Sequence, residues 1–478
     1  MGAPVRSKKM AVLNLPGQGV TTGQIPSKMV RIGPMASTKS PIDRRALMAG
    51  LGATSLTPLW PDLADAQGSL KGSAQGSLAV ALQAKADSLA LRSNAPATPV
   101  WSLQGPDLNF RRGDTVEIAF ANELPVPALL NWWGIDGVPA ADPLTARAPL
   151  GAGAKEALQL LLRHAGTFLC SLGLLGDGQA RPSRARTLVV RESESVAVDR
   201  DEVVLMEDWR IRADGTAIAP GDDPGDALAV YAVNGRSSLE LSARINERLR
   251  IRFINGCQRS VIAVKLEGLD VRVMALDGQP AEPFPARNGA LVIAPGGRAD
   301  AFVDVTARAG AVIPILLHDG KEARPMGKLT VSSEAPLRSA PLPPAPPLPS
   351  NGLPERLDLK GATRADMTLG GSPTEWGIPA RFAKSSPPLF RVKTGRIVVL
   401  ALTNRAAIAT VFHLHGHHFR LLDRLDDGWK PFWLDTLAIE PGQTQRIAFA
   451  AEHAGRWLLE SAATDWAAPR LVHWYSVE

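Results

Sequence analysis

Apolar and polar positions along the chain alternate in short runs with a period of two. Thr115-Val116-Glu117-Ile118-Ala119-Phe120 follows this pattern, as do Leu249–Ile254 and Arg396–Leu400. Such a period sends successive side chains to opposite faces of a half-buried strand. Each run reaches an asparagine within a few residues: Asn122, Asn255 and Asn404. The turns Arg112-Gly113-Asp114 and Lys393-Thr394-Gly395-Arg396 lead into the first and third runs. A second echo joins Ala294-Pro295-Gly296-Gly297-Arg298 to Glu440-Pro441-Gly442-Gln443, each a turn before a strand. This three-fold grammar predicts an all-β chain of three consecutive antiparallel sandwiches, each of roughly 110–150 residues. Their expected bounds are 67–195, 196–335 and 353–478. Between the last two lies 336–352, where 341–349 holds six prolines in nine residues. Polyproline II is its natural conformation, acting as a spacer between the second and third sandwiches.

Composition agrees with a folded chain. Hydrophobic residues make up 45% of the 478 positions and charged ones 21%, which excludes a disordered chain; two cysteines exclude a disulfide-dense scaffold. The formal charge of +6 invites a nucleic-acid reading until the basic residues are located. Arg44-Arg45 stands directly before an apolar run, Ala46 to Trp60, that is too short to span a bilayer. Ala64-Asp65-Ala66 follows with small residues suited to a signal peptidase. Together they resemble a twin-arginine export signal over residues 1–66, with Met1, Met29 or Met35 as the start. The expected location is therefore exported, and periplasmic in a Gram-negative source. Removing this leader, with its eight Lys and Arg and three acids, leaves 45 basic against 44 acidic residues. Bulk charge then gives no support to nucleic-acid binding, and no transmembrane segment is expected in the mature chain.

Half of the eight histidines lie in Val411-Phe412-His413-Leu414-His415-Gly416-His417-His418-Phe419. In an extended strand His413, His415 and His417 would project to one face, where neutral imidazoles suit copper or zinc. Cys170 and Cys257 have two readings, a disulfide in an oxidising compartment or two buried thiols.

The histidine string, the strand grammar, Trp433-Leu434-Asp435-Thr436 and Ala454-Gly455-Arg456-Trp457 resemble the multicopper oxidases from about residue 80 onward. So do Val233-Asn234-Gly235-Arg236 and Ala275-Leu276-Asp277-Gly278. The resemblance implies that the three sandwiches are cupredoxin-like Greek keys. It also implies four copper-ligand motifs, and these depart from the family's pattern. Where the first has two histidines, the chain has Asn131 and Trp133; the second motif's ligand positions carry Ser171 and Gly173. The third keeps His413 and His415 but has Thr410 where the electron-accepting copper takes a histidine. In the fourth, Glu460, Ser461 and Ala462 replace His-Cys-His, and Trp466 and Leu471 hold the last two ligand positions. The family's full set needs ten histidines, and this chain has eight in all.

The resemblance therefore implies a copper-poor relative without catalytic residues or a resident cofactor. Its expected mode of action is binding cell-envelope protein partners after handling by the twin-arginine export machinery, by analogy with a copper-free member active in bacterial cell division. The alternative is a copper-dependent oxidoreductase or metal-handling protein with a reduced copper site at His413, His415 and His417.

Overall fold

The three asparagines that close the repeated runs perform one task in three places. In the computed structural model, which describes residues 78–92, 95–370, 376–383, 385–422 and 429–478, all three are fully buried. Asn122 donates its amide to the carbonyls of Val126 (2.8 Å) and Leu150 (2.9 Å), and accepts from the Leu124 N–H. Asn255 does the same with Ser260 and Ile293, accepting from Cys257. Asn404 repeats it with Ile408 and Ile439, accepting from Ala406. A buried carboxamide must place both its oxygen and its nitrogen, so each asparagine ties its own loop to a neighbouring segment. The leader, with Arg44 and Arg45, lies outside the described residues.

Six sheets among the described residues pair into three consecutive cupredoxin-like sandwiches. The first pairs Thr98–Gln104, Leu78–Leu89, Thr115–Asn122 and Lys155–Leu161 with Leu108–Arg111, Ala185–Arg191, Gly166–Ser171 and Asn131–Trp133. The second, from Arg200 to Val331, has sheets of six and five strands; the third, from Thr363 to Val477, has two of five. Each encloses its own apolar core, exemplified by Ile118 and Phe168, by Ile251 and Leu317, and by Phe412 and Phe449.

The repeat predicts antiparallel sandwiches, but each sandwich also contains parallel pairs. In each, the first strand runs parallel to the asparagine strand, with Leu78 opposite Val116, Arg200 opposite Leu249, and Thr363 opposite Val398. A parallel pair also forms in each facing sheet. Chain passing between the two sheets separates these partners, and a crossover of that kind delivers parallel strands where a hairpin cannot.

Strand Arg248–Asn255 alternates in sequence yet is buried at every position. One face enters the apolar core through Leu249, Ile251 and Phe253. The other carries Arg250 and Arg252, which both bind Asp300, while Arg252 also donates to Thr167 of the first sandwich. Alternation here separates apolar packing from an ion-pair layer, and no face is left to solvent.

The proline-rich segment is held against the sandwiches along its length. Arg248 donates to the carbonyls of Leu342 and Pro343, and Leu348 is buried beside Met274 and Phe302. Arg112 of the first sandwich grips the carbonyls of Ser350 and Asn351. The Asn351 side chain pairs with both backbone groups of Ala165. The segment is therefore a strap rather than a free spacer. Cys170 and Cys257 are separate, buried free thiols, not a disulfide. Among the described residues, no helix is long and apolar enough to cross a membrane.

Candidate functional site

Strand Thr410–Leu414 carries His413, but the extended run ends before His417. Gly416 has φ +76°, and a Cβ built there would lie 2.1 Å from Cε3 of Trp457. Only glycine fits this left-handed, crowded turn. The turn re-aims His417, whose Nδ1 meets the Tyr475 hydroxyl at 2.8 Å while its Nε2 accepts the His453 N–H. Both ring nitrogens are committed, so His417 does not join His413 and His415 on a common face as an extended strand would require. Gly416→Ala is expected to cost about 1–3 kcal/mol from backbone strain alone. The shift of the chemical-denaturation midpoint measures it; an unchanged midpoint would mean that the turn relaxes freely.

Glu460 occupies the place that His417 leaves. His413, His415 and Glu460 bring three ligand-type atoms within 4.8 Å of one another, all buried. They face each other because strand Gly455–Ala463 pairs with Thr410–Leu414, His413 lying opposite Glu460. Both carboxylate oxygens of Glu460 are engaged. Oε1 accepts from His415 Nε2 (2.7 Å) and Asn131 Nδ2 (2.7 Å), and Oε2 accepts from Arg470 Nη1 (2.8 Å). On its other side His415 donates Nδ1–H to Asp142 at 3.0 Å. Burial alone would lower the His415 imidazole, but Asp142 and Glu460 push it up to about 9. Burial would raise Glu460, yet His415 and Arg470 hold it well below the usual carboxylate range. His415 and Arg470 thus approach the Glu460 carboxylate from two sides, with Asp142 on the far side of the His415 ring.

Other positions at which the resemblance implies substituted copper ligands lie around the same place. Trp133 lies against His413 with ring centroids 4.1 Å apart and the planes tilted by 32°, and its Nε1–H donates to Ser171 Oγ at 3.3 Å. Gly296 makes room for that indole: a Cβ there would come within 2.3 Å of the Trp133 ring. A cavity of about 30 Å³, room for a water or two, is lined by Trp133, Ser171, Gly173, His413, Glu460, Ser461 and Ala462. His413 Nδ1 bonds the Asp435 carbonyl and the Thr436 hydroxyl, leaving its buried Nε2 without a hydrogen-bond partner.

The positions implied for the electron-accepting copper are occupied by groups with other partners. Thr410 donates its hydroxyl to Asn404, and Trp466 donates Nε1–H to the Ala219 carbonyl of the second sandwich. Leu471 packs against the third apolar core, and Ser461 Oγ is buried without a hydrogen-bond partner.

A second cluster of histidines escaped sequence reasoning. His164, His417, His418 and His453, from three separate stretches of chain, gather near Asp136. Asp136 accepts from His418 Nδ1 at 2.6 Å and lies 3.5 Å from His164 Nδ1. His417 and His453 stack at 5.3 Å between centroids. Burial lowers His417 to about 3 and His164 to about 4. Burial would lower His418 too, but Asp136 and Asp435 push it up to about 9. Proximity in sequence signals only the His417-His418 pair; the rest depends on where the loops meet.

Comparison with known proteins gives the same relationship. Sequence models of the multicopper oxidase family match residues 200–311 and 356–478. Multicopper oxidase MmcO of Mycobacterium tuberculosis is 26% identical over 418 residues, covering 75% of this chain and 78% of that protein. Copper resistance protein A of Pseudomonas syringae pv. tomato is 24% identical over 299 residues, covering 51% of this chain and 48% of that protein. Among solved structures, a multi-copper oxidase from Pseudomonas thermotolerans superposes with a TM-score of 0.72 at 24% identity. It matches 84% of this chain and 100% of its own. At that identity the superposition speaks for the fold alone.

Proposed function

The chain belongs to the multicopper oxidase family, and from that premise we propose that it has exchanged copper chemistry for binding. It is read as a protein exported through the twin-arginine route that acts on cell-envelope protein partners, in the periplasm of a Gram-negative source.

The observation that carries this reading is the state of Glu460. A ligand position of the family's cluster is filled by a carboxylate whose two oxygens are taken by His415, Asn131 and Arg470. The positive charge that metals would bring is supplied by the chain itself. The full copper set does not fit these residues. Trp133 fills space beside His413, and Ser461 replaces the thiolate that soft copper sites require.

A second reading, a copper-dependent oxidoreductase or metal-handling protein with a reduced site, is favoured by one atom. The unpartnered Nε2 of His413 is a free lone pair next to His415 and Glu460. Expression with added copper separates the two. The binding reading expects copper well below one per chain, no intense visible absorption and no oxidation of phenols. Near-stoichiometric copper that disappears in His413→Ala/His415→Ala would establish the second reading instead. For the binding role, in-cell crosslinking from surface positions should join the exported chain to specific envelope proteins. Export without any specific crosslink would count against it.

A further inference from the structure

Asp136, His164 and His418 bring a carboxylate oxygen and two ring nitrogens within 4.8 Å of one another, outside all the positions discussed for copper. They come from three connections: the one after Asn131–Trp133, the one between Lys155–Leu161 and Gly166–Ser171, and the one between Thr410–Leu414 and Phe419–Leu422. Two belong to the first sandwich and one to the third.

The arrangement has the supports of a metal site. His418 donates Nε2–H to the Asp277 carbonyl at 2.8 Å, which fixes the ring and leaves Nδ1 facing Asp136. Anchoring the far nitrogen on a carbonyl is how proteins orient metal-ligating imidazoles. His164 directs Nδ1 at the same Asp136 oxygen, and that nitrogen accepts a hydrogen bond from Gln279 Nε2–H at 2.9 Å, which a bound metal would replace. Bonds of about 2.0–2.1 Å in a tetrahedral site place ligand atoms roughly 3.3–3.4 Å apart. The observed 2.6 Å and 3.5 Å separations from Asp136 bracket that spacing, and the two ring nitrogens lie within 4.8 Å of each other. A cavity of about 10 Å³ touches Asp136 and His418, about the space of one water-sized ligand. The His164 side chain is 10% exposed and offers an approach from solvent.

We propose that Asp136, His164 and His418 hold one divalent ion of the zinc class, with water in the fourth position, clamping the first sandwich to the third. Two imidazoles and a carboxylate with an open position form a donor set suited to zinc. The site shares no residue with the His413 centre, so it stands or falls separately from the copper reading.

The test is calorimetric titration of the purified, chelator-stripped protein with zinc, with metal analysis and thermal unfolding alongside. One equivalent should bind and raise the melting temperature. His164→Ala should weaken binding by about tenfold or more, while His413→Ala leaves it unchanged. His164→Ala is the deciding variant because its ring is the most exposed of the three, and His164→Gln with circular dichroism guards against misfolding. Absence of zinc binding would overturn the assignment. So would affinity unchanged in both His164 variants, or binding abolished by His413→Ala.

Discussion

Arg298→Met is expected to lower stability by about 3–5 kcal/mol, the scale for breaking a buried charge pair from one side. All five guanidinium N–H donors have acceptors. Nε bonds the Thr167 carbonyl, Nη1 bonds the Gly296 carbonyl and Asp435 Oδ1, and Nη2 bonds the Asp277 carbonyl and Asp435 Oδ2. Thr167 lies in the first sandwich, Gly296 and Asp277 in the second, and Asp435 in the third, so one side chain serves all three. Burial pushes Asp435 up, but Arg298 and His413 outweigh it and hold the carboxyl well below its ordinary range. Burial and the neighbouring Asp435 charge push Asp277 up to about 6. Methionine would match much of the volume while stranding both acids. Chemical denaturation of the variant measures the loss, and Asp435→Asn added to Arg298→Met should recover part of it. A change within about 0.5 kcal/mol, as at an ordinary surface position, would show that the junction does not depend on this residue.

Local signals made the fold legible, whereas the centre was legible only in part. Asn122, Asn255 and Asn404 repeat in sequence because each closes the same kind of loop with the same three-atom hydrogen-bond pattern. Two of the three bonds in each case go to residues two to five positions on, so the device leaves a local trace in the sequence. The family resemblance likewise implies that Asn131, Trp133, Ser171 and Glu460 stand at ligand positions, and these side chains lie around one centre. It did not reveal what the substitutions do. That Glu460 answers His415, or that Trp133 lies over His413, follows from contacts between residues more than 40 and 250 positions apart. His417 failed the face rule because one glycine turn ended the strand before it. Arg298, read from sequence as part of a turn, owes its role to carbonyls from distant loops. The strand Arg248–Asn255 shows the same limit: alternation marked its two faces but could not tell that the polar face would be covered.

In chelator-stripped protein, stability should peak near pH 6.5 and fall on both sides, because two sets of buried histidines titrate in opposite senses. His415 and His418 are pushed up to about 9 in the folded chain, from 6.5. Their contribution is fully present below pH 6.5 and is lost as pH rises through 9. Each shift corresponds to roughly 3 kcal/mol. Near pH 8 the folded state holds close to two more protons than the unfolded one, so stability should drop by about 2–3 kcal/mol per pH unit. His417 and His164 behave oppositely, lowered by burial to about 3 and about 4. Their contribution is present above pH 6.5 and is lost as pH falls, since the unfolded chain takes up protons that the folded one refuses. Burial also lowers His413 and His453, steepening the acid limb. Facing these rings are Asp142 and Glu460 at His415, Asp136 and Asp435 at His418, and Asp136 again at His417 and His164. The first two rings make direct carboxylate hydrogen bonds, whereas His417 bonds a tyrosine and a backbone amide. Denaturation midpoints from pH 4 to 10 should trace the peak. Calorimetry in buffers of different ionisation enthalpy should detect protons released on unfolding at pH 8 and taken up at pH 5. A curve flat from pH 6.5 to 9 would mean that His415 and His418 are neutral in the folded protein, and that the charge balance at Glu460 rests on Arg470 alone.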